Sequence, residues 1–175
     1  MEAKDEFLDI FYDNIERDGA DRLLEWLEKS DFFIAPASTS RHCAYRGGLC
    51  QHSINVYKRF VKLLEGEYGE NWSDKVSKES VAIMGLLHDV CKVDIYKEDY
   101  RNIKDESGTW IKKPYYKLED SLPYGHGEKS VYIISAFMKL TREEALAINW
   151  HMGEYDQRVK NGGSYLMADV FYKYP

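Results

Sequence analysis

The sequence predicts an all-α fold, a helical bundle with a small β-hairpin insertion around residues 96–118. Two observations support this prediction. Apolar side chains recur every three to four residues through most of the chain, as they do along a helix that buries one face. Between Asp94 and Tyr124 this period disappears, and the segment is rich in Tyr, Lys and Asp. The length of 175 residues suits one domain with a sizeable core.

Two helices are predicted at the N-terminus. Phe7, Phe11 and Ile15 lie four residues apart and predict a helix over residues 5–17. A second apolar stripe at residues 23–27 predicts another helix directly after it.

The centre of the chain is predicted to hold two further helices. One spans residues 48–66, and the next follows the tetrad of residues 77–80 and keeps the same apolar spacing from Val81 through Cys91. The first of these helices presents four apolar side chains on its predicted buried face: Leu49, Val56, Phe60 and Leu63.

Near the C-terminus, Thr141 and Glu144 have the spacing of a capping box, in which each side chain bonds the backbone of the other residue. We therefore expect a helix from this point to about His151, and a last helix over residues 164–172.

The hairpin is predicted from its turn, residues 106–108, which separates two segments rich in aromatic and β-branched residues. It closely follows the pair His88-Asp89, so it could cover a site there as a flap. Its aromatic side chains could pack on the bundle, form an oligomer contact or stack on a nucleobase. These side chains are Tyr96, Tyr100, Trp110, Tyr115, Tyr116 and Tyr124.

Charge and composition limit the function classes. The chain has 24 Lys and Arg against 30 Asp and Glu, a formal net charge of −6, which disfavours a long phosphate backbone and favours a small phosphorylated substrate. Its three cysteines are scattered, which argues against a disulfide framework. No apolar run reaches the roughly 18 residues of a membrane span, and the N-terminus lacks a signal-peptide pattern. We expect a cytoplasmic protein that does not bind membranes, and leave its oligomeric state open.

The pair His88-Asp89 is the first candidate for a metal site. Neutral imidazole and carboxylate groups suit first-row divalent metals. On a helix these two side chains diverge by about 100°, so they could straddle one ion, or Asp89 could bridge two ions. Lys92 follows His88 by four residues, where its charge could stabilise a phosphate. A salt-bridged or solvated lysine is the alternative.

Four more residues could complete this site. His52 and the late acid Asp169 could close one side of a first ion, and His126 and His151 could supply a second ion. Each histidine by itself is equally typical of a helix end or a satisfied core position. Their spacing alone leaves the choice open, because they lie on different helices.

Three cationic or titratable residues are candidates for substrate binding. His42 and Arg46 precede His52 closely, and the forked donors of arginine suit a phosphate. Lys129 is the third candidate. The alternative for each of them is an ordinary surface position.

These residues resemble the motifs of the HD-domain metal-dependent phosphohydrolase superfamily. The resemblance consists of the ordered set His, His-Asp-x-x-Lys, His, His and Asp. The chain is also similar to the HD domain of bacterial 3′–5′ exoribonucleases. The matching segments are residues 47–53 (GGLCQHS), 86–92 (LLHDVCK), 125–130 (GHGEKS), 149–153 (NWHMG) and 168–169 (AD).

The resemblance implies a bundle of about five core helices. It covers residues 42–170, so we expect a single HD-type domain over residues 1–175 with N-terminal helices at 5–29 packed on its core. Transferred by position, the ligands of the first ion are His52, His88, Asp89 and Asp169. The ligands of the second ion are Asp89, His126 and His151. Glu154 or Asp156 could replace Asp169, and a site without converging His126 and His151 would hold one ion.

The function implied by the resemblance is hydrolysis of a phosphoester, in a nucleotide or a short nucleic-acid end such as single-stranded RNA. Two divalent ions would activate a water and hold the phosphoryl group, with Asp89 and Lys92 as catalytic residues. The donors favour Mn or Fe, with Zn, Ni, Co and Mg as alternatives. A di-iron oxygenase on the same scaffold and a catalytically silent nucleotide-binding domain are the competing hypotheses. The complete ligand set argues against the silent domain.

Overall fold

The computed structural model describes residues 2–173, so positions 1, 174 and 175 of the predicted domain lie outside the described residues. The helices are α1 (Ala3–Asn14), α2 (Ala20–Lys29), α3 (Gly48–Tyr68), α4 (Lys78–Leu87), α5 (His126–Ser135), α6 (Arg142–Trp150) and α7 (Ser164–Lys173). Two strands, β1 (Tyr96–Lys104) and β2 (Trp110–Leu118), form an antiparallel hairpin between α4 and α5. The fold is therefore mainly helical with one small sheet. Within the described part of the chain, no helix combines the length and apolar character of a membrane span.

One apolar cluster joins the N-terminal helices to the rest of the bundle. Phe7 and Phe11 of α1 and Leu23 of α2 belong to the same buried cluster as Ile54 of α3 and Leu86 of α4. Burying a side chain of this size contributes about 1.5–3 kcal/mol. The cluster thus holds α1 and α2 against the two helices that carry His52 and precede His88.

Helix α1 ends three residues earlier than the predicted helix over residues 5–17. It stops at Asn14, and Ile15 has an extended backbone although its side chain is buried. In the segment that follows, Arg17 reaches two other helices, bonding Glu144 of α6 and Glu79 of α4.

The buried face of α3 differs from the prediction at its C-terminal end. Leu63 is 57% exposed, whereas the neighbouring Leu64 is buried beside Trp72. Val56 and Phe60 are only half-buried and border a cavity. One part of the apolar stripe of α3 therefore packs against α1 and α4, and another part lines this cavity.

Helix α4 begins within the tetrad of residues 77–80 that was predicted to precede it, and it ends before the predicted position. Ser77 caps its N-terminus by accepting a hydrogen bond from Ser80 N, and the helix ends at Leu87 instead of continuing to Cys91. A 3-10 turn over Val90–Lys92 follows. His88 is the C-terminal cap, and Asp89 has left the helical conformation (φ −109°, ψ 17°).

The structure confirms two local predictions. Helix α6 begins with a complete capping box between Thr141 and Glu144. The hairpin has the predicted bounds, with a register running from Tyr96 opposite Leu118 to Lys104 opposite Trp110. Its turn is held by the Asp105 carboxylate, which accepts hydrogen bonds from the backbone of the turn.

Candidate metal centre

The carboxylate of Asp89 lies at the centre of the four predicted histidine ligands, and Asp89 is only 2% exposed. Its Oδ2 lies 3.1 Å from His52 Nε2 and 3.3 Å from His88 Nε2. Its Oδ1 lies 2.8 Å from His126 Nε2 and 3.4 Å from His151 Nε2. Each carboxylate oxygen therefore faces one pair of imidazoles.

The first pair of imidazoles, His52 and His88, lies where α4 crosses α3 at Gly85. A Cβ on Gly85 would lie 2.7 Å from the Cα of Tyr57, so a larger residue here would push the two helices apart. The close crossing brings His52 of α3 next to His88 at the end of α4, with 3.2 Å between their Nε2 atoms.

The second pair of imidazoles, His126 and His151, lies where α5 approaches α6 at Gly127. A Cβ on Gly127 would lie 2.2 Å from the carbonyl oxygen of Asn149. Gly127 follows His126, the first residue of α5, and Asn149 precedes His151 at the end of α6 by two residues. The two imidazole rings consequently lie 5.2 Å apart between their centroids.

The guanidinium group of Arg158 links the start of α5 to the end of α6. Arg158 donates to Glu128 Oε1 at 2.7 Å and to the carbonyl oxygen of Asn149 at 2.9 Å, and it lies 4.1 Å from the Trp150 ring centroid. It also bonds both carboxylate oxygens of Asp156. These hydrogen bonds from Arg158, despite partial burial of the carboxylate, place the pKa of Asp156 below its ordinary value. Asp156 is thus engaged by Arg158 and lies outside the groups of ligands gathered at Asp89.

Two of the imidazoles are fixed in one tautomer. The Nδ1 of His88 lies 3.0 Å from the Gly85 carbonyl oxygen, and that of His151 lies 2.7 Å from the Ile148 carbonyl oxygen. A carbonyl only accepts hydrogen bonds, so both Nδ1 atoms donate, and in the neutral rings both Nε2 atoms carry a lone pair toward Asp89. The Nε2 of His151 is buried and has no hydrogen-bond partner among the described residues. Its 3.4 Å approach to Asp89 joins two acceptors and is not a hydrogen bond.

A divalent cation fits this arrangement of donors. Two ligand atoms that each lie about 2.1 Å from one ion, at right-angled to tetrahedral geometry, are themselves roughly 3.0–3.4 Å apart. Three of the four separations around Asp89, at 3.1–3.4 Å, lie in this range, and the fourth, to His126, is 2.8 Å. The donor atoms of His52, His88 and Asp89 lie within 4.8 Å of one another, as do those of Asp89, His126 and His151.

The protonation states also suit a metal. Burial lowers the pKa of His88, although the nearby Asp89 carboxylate opposes this shift, so the imidazole is held in its neutral, metal-binding form. Burial acts to raise the pKa of Asp89, but the electrostatic interaction with the His88 ring and hydrogen bonding by imidazoles such as His126 bring that pKa well below its ordinary value. Asp89 is therefore a carboxylate at neutral pH.

Lys92 lies beside the carboxylate at the floor of a cavity. Its Nζ donates to Asp89 Oδ2 at 2.7 Å, and its side chain is almost fully buried. Because α4 ends before His88, Lys92 reaches Asp89 from the 3-10 turn and not from the predicted shared helix face. The cavity has a volume of about 490 Å³. Its apolar wall consists mainly of Val56, Phe60, Met84, Tyr96, Ile148 and Met152.

The three predicted substrate-binding residues have different positions. His42 borders the cavity, and its ring lies 4.7 Å from that of His52. Arg46 is exposed and does not line the cavity. Lys129 is buried and forms a 2.6 Å ion pair with Asp120, away from the cavity lining. This ion pair ties the segment after the hairpin to α5, and substrate binding by Lys129 stays a prediction from the sequence.

Asp169 is not brought to the other ligands. It lies on α7 with an exposed side chain, and its carboxylate is 3.8 Å from Lys173 Nζ. Helix α7 packs mainly against the turn Val159–Gly163 that precedes it. The assignment of Asp169 as a ligand therefore stays a prediction from the sequence. Its alternative Glu154 is also exposed.

Several residues that build the site were not anticipated from the sequence. Gly85 and Gly127 set the two helix crossings, and Arg158 links α5 to α6. Tyr96, predicted only as one of the hairpin's aromatic residues, borders the cavity. Burial, with a smaller effect of the Asp89 charge, raises the pKa of Tyr96 to about 12. The available signal was the spacing of the two glycines, one three residues before His88 and one directly after His126.

Comparison with known proteins agrees with this geometry. The family model of the HD domain matches residues 49–170. The chain is 34% identical over 88 residues to dihydroneopterin 2′,3′-cyclic phosphate phosphodiesterase of Methanocaldococcus jannaschii. That match covers 49% of this chain and 31% of the relative, so the chain spans about a third of that relative's length. No solved structure matches the chain significantly. Since the family model spans most of the chain and includes all four converging histidines, the chain belongs to the HD-domain family.

Proposed function

We propose that this chain is a metal-dependent phosphohydrolase that cleaves a phosphoester in a nucleotide or a short nucleic-acid end. The observation that carries the proposal is the pair of buried Nε2 lone pairs, on His88 and His151, that face opposite oxygens of one carboxylate. A cation between these donors would stabilise the arrangement, because the lone pairs and the carboxylate otherwise repel one another.

Two groups of residues would hold the ions. His52, His88 and Asp89 form the first group, and Asp89, His126 and His151 form the second. Imidazole and carboxylate donors favour Mn or Fe, with Zn, Co, Ni and Mg as alternatives. When bound, divalent ions supply Lewis-acid polarisation of a phosphoryl group and acidify water near it.

The chain's own residues supply the remaining functions. Asp89 is shared between the two histidine pairs and so fixes their relative position. Lys92 presents a buried positive charge, which would bind the phosphoryl oxygens and stabilise the charge that develops on them. His42, at the border of the cavity, would contact the substrate from the solvent side.

The shape and lining of the cavity support an organic phosphoester over an inorganic phosphate. Beside the polar floor, the wall carries side chains such as Phe60, Met84 and Met152, which suit a planar or apolar group. The relative is named as a phosphodiesterase, which favours a diester and supports phosphoester cleavage over a di-iron oxygenase or a silent domain.

Substitution of the shared carboxylate tests this function. We expect Asp89→Asn to lose bound metal and to lower hydrolysis of bis(p-nitrophenyl) phosphate and of nucleoside 2′,3′-cyclic phosphates at least about 100-fold. Metal is measured by mass spectrometry of the purified protein, and hydrolysis with added Mn²⁺ in anaerobic buffer. Hydrolysis without oxygen is not expected of an oxygenase.

Asp94→Asn is the matched control. Asp94 is an exposed acid in the left-handed backbone region (φ 59°), which asparagine tolerates, and it belongs to neither group of ligands. This variant should keep both metal and activity. If Asp89→Asn behaved like Asp94→Asn, the proposed centre would be wrong.

A further inference from the structure

The hairpin carries its aromatic side chains in an ordered way. Alternate residues of a strand point to the same side, and residues opposite each other in the register share that side. Tyr96, Tyr100, Trp110 and Tyr116 consequently lie on one side, which we call the aromatic face. Tyr100 and Trp110 are 60% and 65% exposed, so this face is open to solvent along most of its length.

The aromatic face is continuous with the cavity. Tyr96, at its base, lines the cavity together with Lys92 and His126. Tyr100 and Trp110 lie progressively further along the hairpin, the latter opposite Lys104 at its tip. A nine-residue strand is roughly 30 Å long, so the face extends well beyond the reach of a single nucleotide.

The charge of the hairpin suits an anionic ligand. Residues 96–118 contain six basic and four acidic residues, whereas the whole chain carries a net charge of −6. Two of those acids are engaged locally: Asp99 accepts from Tyr115 Oη, and Asp105 accepts from the turn. Lys104 and Lys112 lie on the aromatic face itself, and the Lys104 ammonium is 5.3 Å from the Trp110 ring centroid.

We propose that the aromatic face binds the unpaired bases of a single-stranded nucleic acid whose end lies in the cavity. This inference rests on the proposed function and names its substrate class. Exposed rings separated by cations are the arrangement that stacks bases and pairs with the phosphates between them. A duplex would be excluded from this mode, because its bases are stacked on one another.

Binding of an RNA hexamer tests the proposal. The probe is a fluorescein-labelled single-stranded hexamer with phosphorothioate linkages, which resist cleavage, and binding is followed by fluorescence anisotropy in Mn²⁺. We expect Tyr100→Ala and Trp110→Ala each to weaken binding about tenfold, and Trp110→Phe to restore most of it. A duplex of the same sequence should bind more weakly than the single strand.

Ile111→Ala is the matched control, because Ile111 adjoins Trp110 but lies on the opposite side of the hairpin and is also exposed. It should bind the hexamer like the wild type. All of these variants should hydrolyse bis(p-nitrophenyl) phosphate at the wild-type rate, since that substrate occupies only the cavity. Absence of this hydrolysis in the wild type would count against the proposed function, whereas the anisotropy measurement tests the aromatic face separately.

Three results would overturn the inference. The first is wild-type hexamer affinity in both Tyr100→Ala and Trp110→Ala. The second is equal affinity for the duplex, which would show binding through charge alone. The third is a wild type that sediments as a dimer while these variants sediment as monomers and bind the hexamer with unchanged affinity. That result would make the aromatic face a contact between two copies of the chain.

Discussion

The Lys92 ammonium is a buried charge whose only close anionic contact among the described residues is Asp89. The Lys92 ammonium partly neutralises the Asp89 carboxylate, which would also bind the metal ions. It is placed three residues after Asp89 by the 3-10 turn, at the floor of the cavity where a phosphoryl group would lie. Its position therefore suits a role toward substrate charge more than a role in folding.

Replacing Lys92 by methionine separates these roles. Methionine keeps the length and apolar stem of the side chain but removes the charge, so we expect hydrolysis of a phosphodiester to fall about 10²-fold or more. Metal content should be unchanged, because four histidines and Asp89 remain. Loss of metal in Lys92→Met would show instead that the ammonium acts by holding Asp89 in place.

At the scale of helices, two glycines determine which imidazoles meet. Gly127 is in contact with backbone, the carbonyl groups of Ile148 and Asn149, which cannot rotate away as a side chain can. Close packing of α5 on α6 is in turn secured by Arg158, which bonds residues of both helices. The second group of ligands therefore depends on one helix crossing.

We expect Gly127→Ala to impair the second group selectively. The added Cβ must displace α5 from α6, which should weaken one of two Mn²⁺ sites about 10–100-fold in calorimetric titration while the His52–His88 pair keeps its affinity. Gly66→Ala is the control, because Gly66 lies in α3 with open space around it and alanine is favoured in a helix. Two Mn²⁺ sites of wild-type affinity in Gly127→Ala would contradict this dependence.

The sequence predicted the elements that depend on local signals. The capping box of α6 and the hairpin were correct, because their hydrogen bonds lie within a few residues. The prediction of the buried face of α3 failed at Leu63, because tertiary contacts determine which apolar side chain is buried there. Leu63 and Leu64 are both apolar, and Leu64 is the one buried, beside Trp72. The convergence of the histidines was predicted by the family resemblance, not by spacing, because it depends on crossings between helices distant in sequence.

At the scale of the whole molecule, a polar junction links the segment between α1 and α2 to helices α4 and α6. Arg17, in the link between α1 and α2, bonds both oxygens of Glu144 on α6 and also bonds Glu79 on α4. Ser80 donates to the same Glu144 carboxylate at 2.7 Å. Glu144 is fully buried, so this junction adds a buried polar connection to the apolar cluster that joins the N-terminal helices to the bundle.

This junction predicts a specific dependence of stability on pH. Burial acts to raise the pKa of Glu144, but hydrogen bonds from Arg17, Ser80 and the Thr141 backbone outweigh it and place the pKa below its ordinary value of 4.5. A carboxyl group whose pKa is lowered in the folded state stabilises the fold, and this stabilisation is fully present at pH values above the pKa of the group in the unfolded chain. That stabilisation is lost as the pH falls through the folded value.

We therefore expect Glu144→Gln to lower the free energy of unfolding by about 2–4 kcal/mol at pH 7, because it leaves the Arg17 charge with a weaker partner. The difference from wild type should shrink progressively when urea denaturation is repeated at pH values below 4.5, because the unfolded wild type then binds a proton that the folded Glu144 carboxylate binds only at lower pH. Glu25→Gln, which removes an exposed partner of Lys29, should stay close to wild type at both pH values. A difference for Glu144→Gln that is the same at both pH values would show that shape at this junction, and not its charge, connects the N-terminal helices to the bundle.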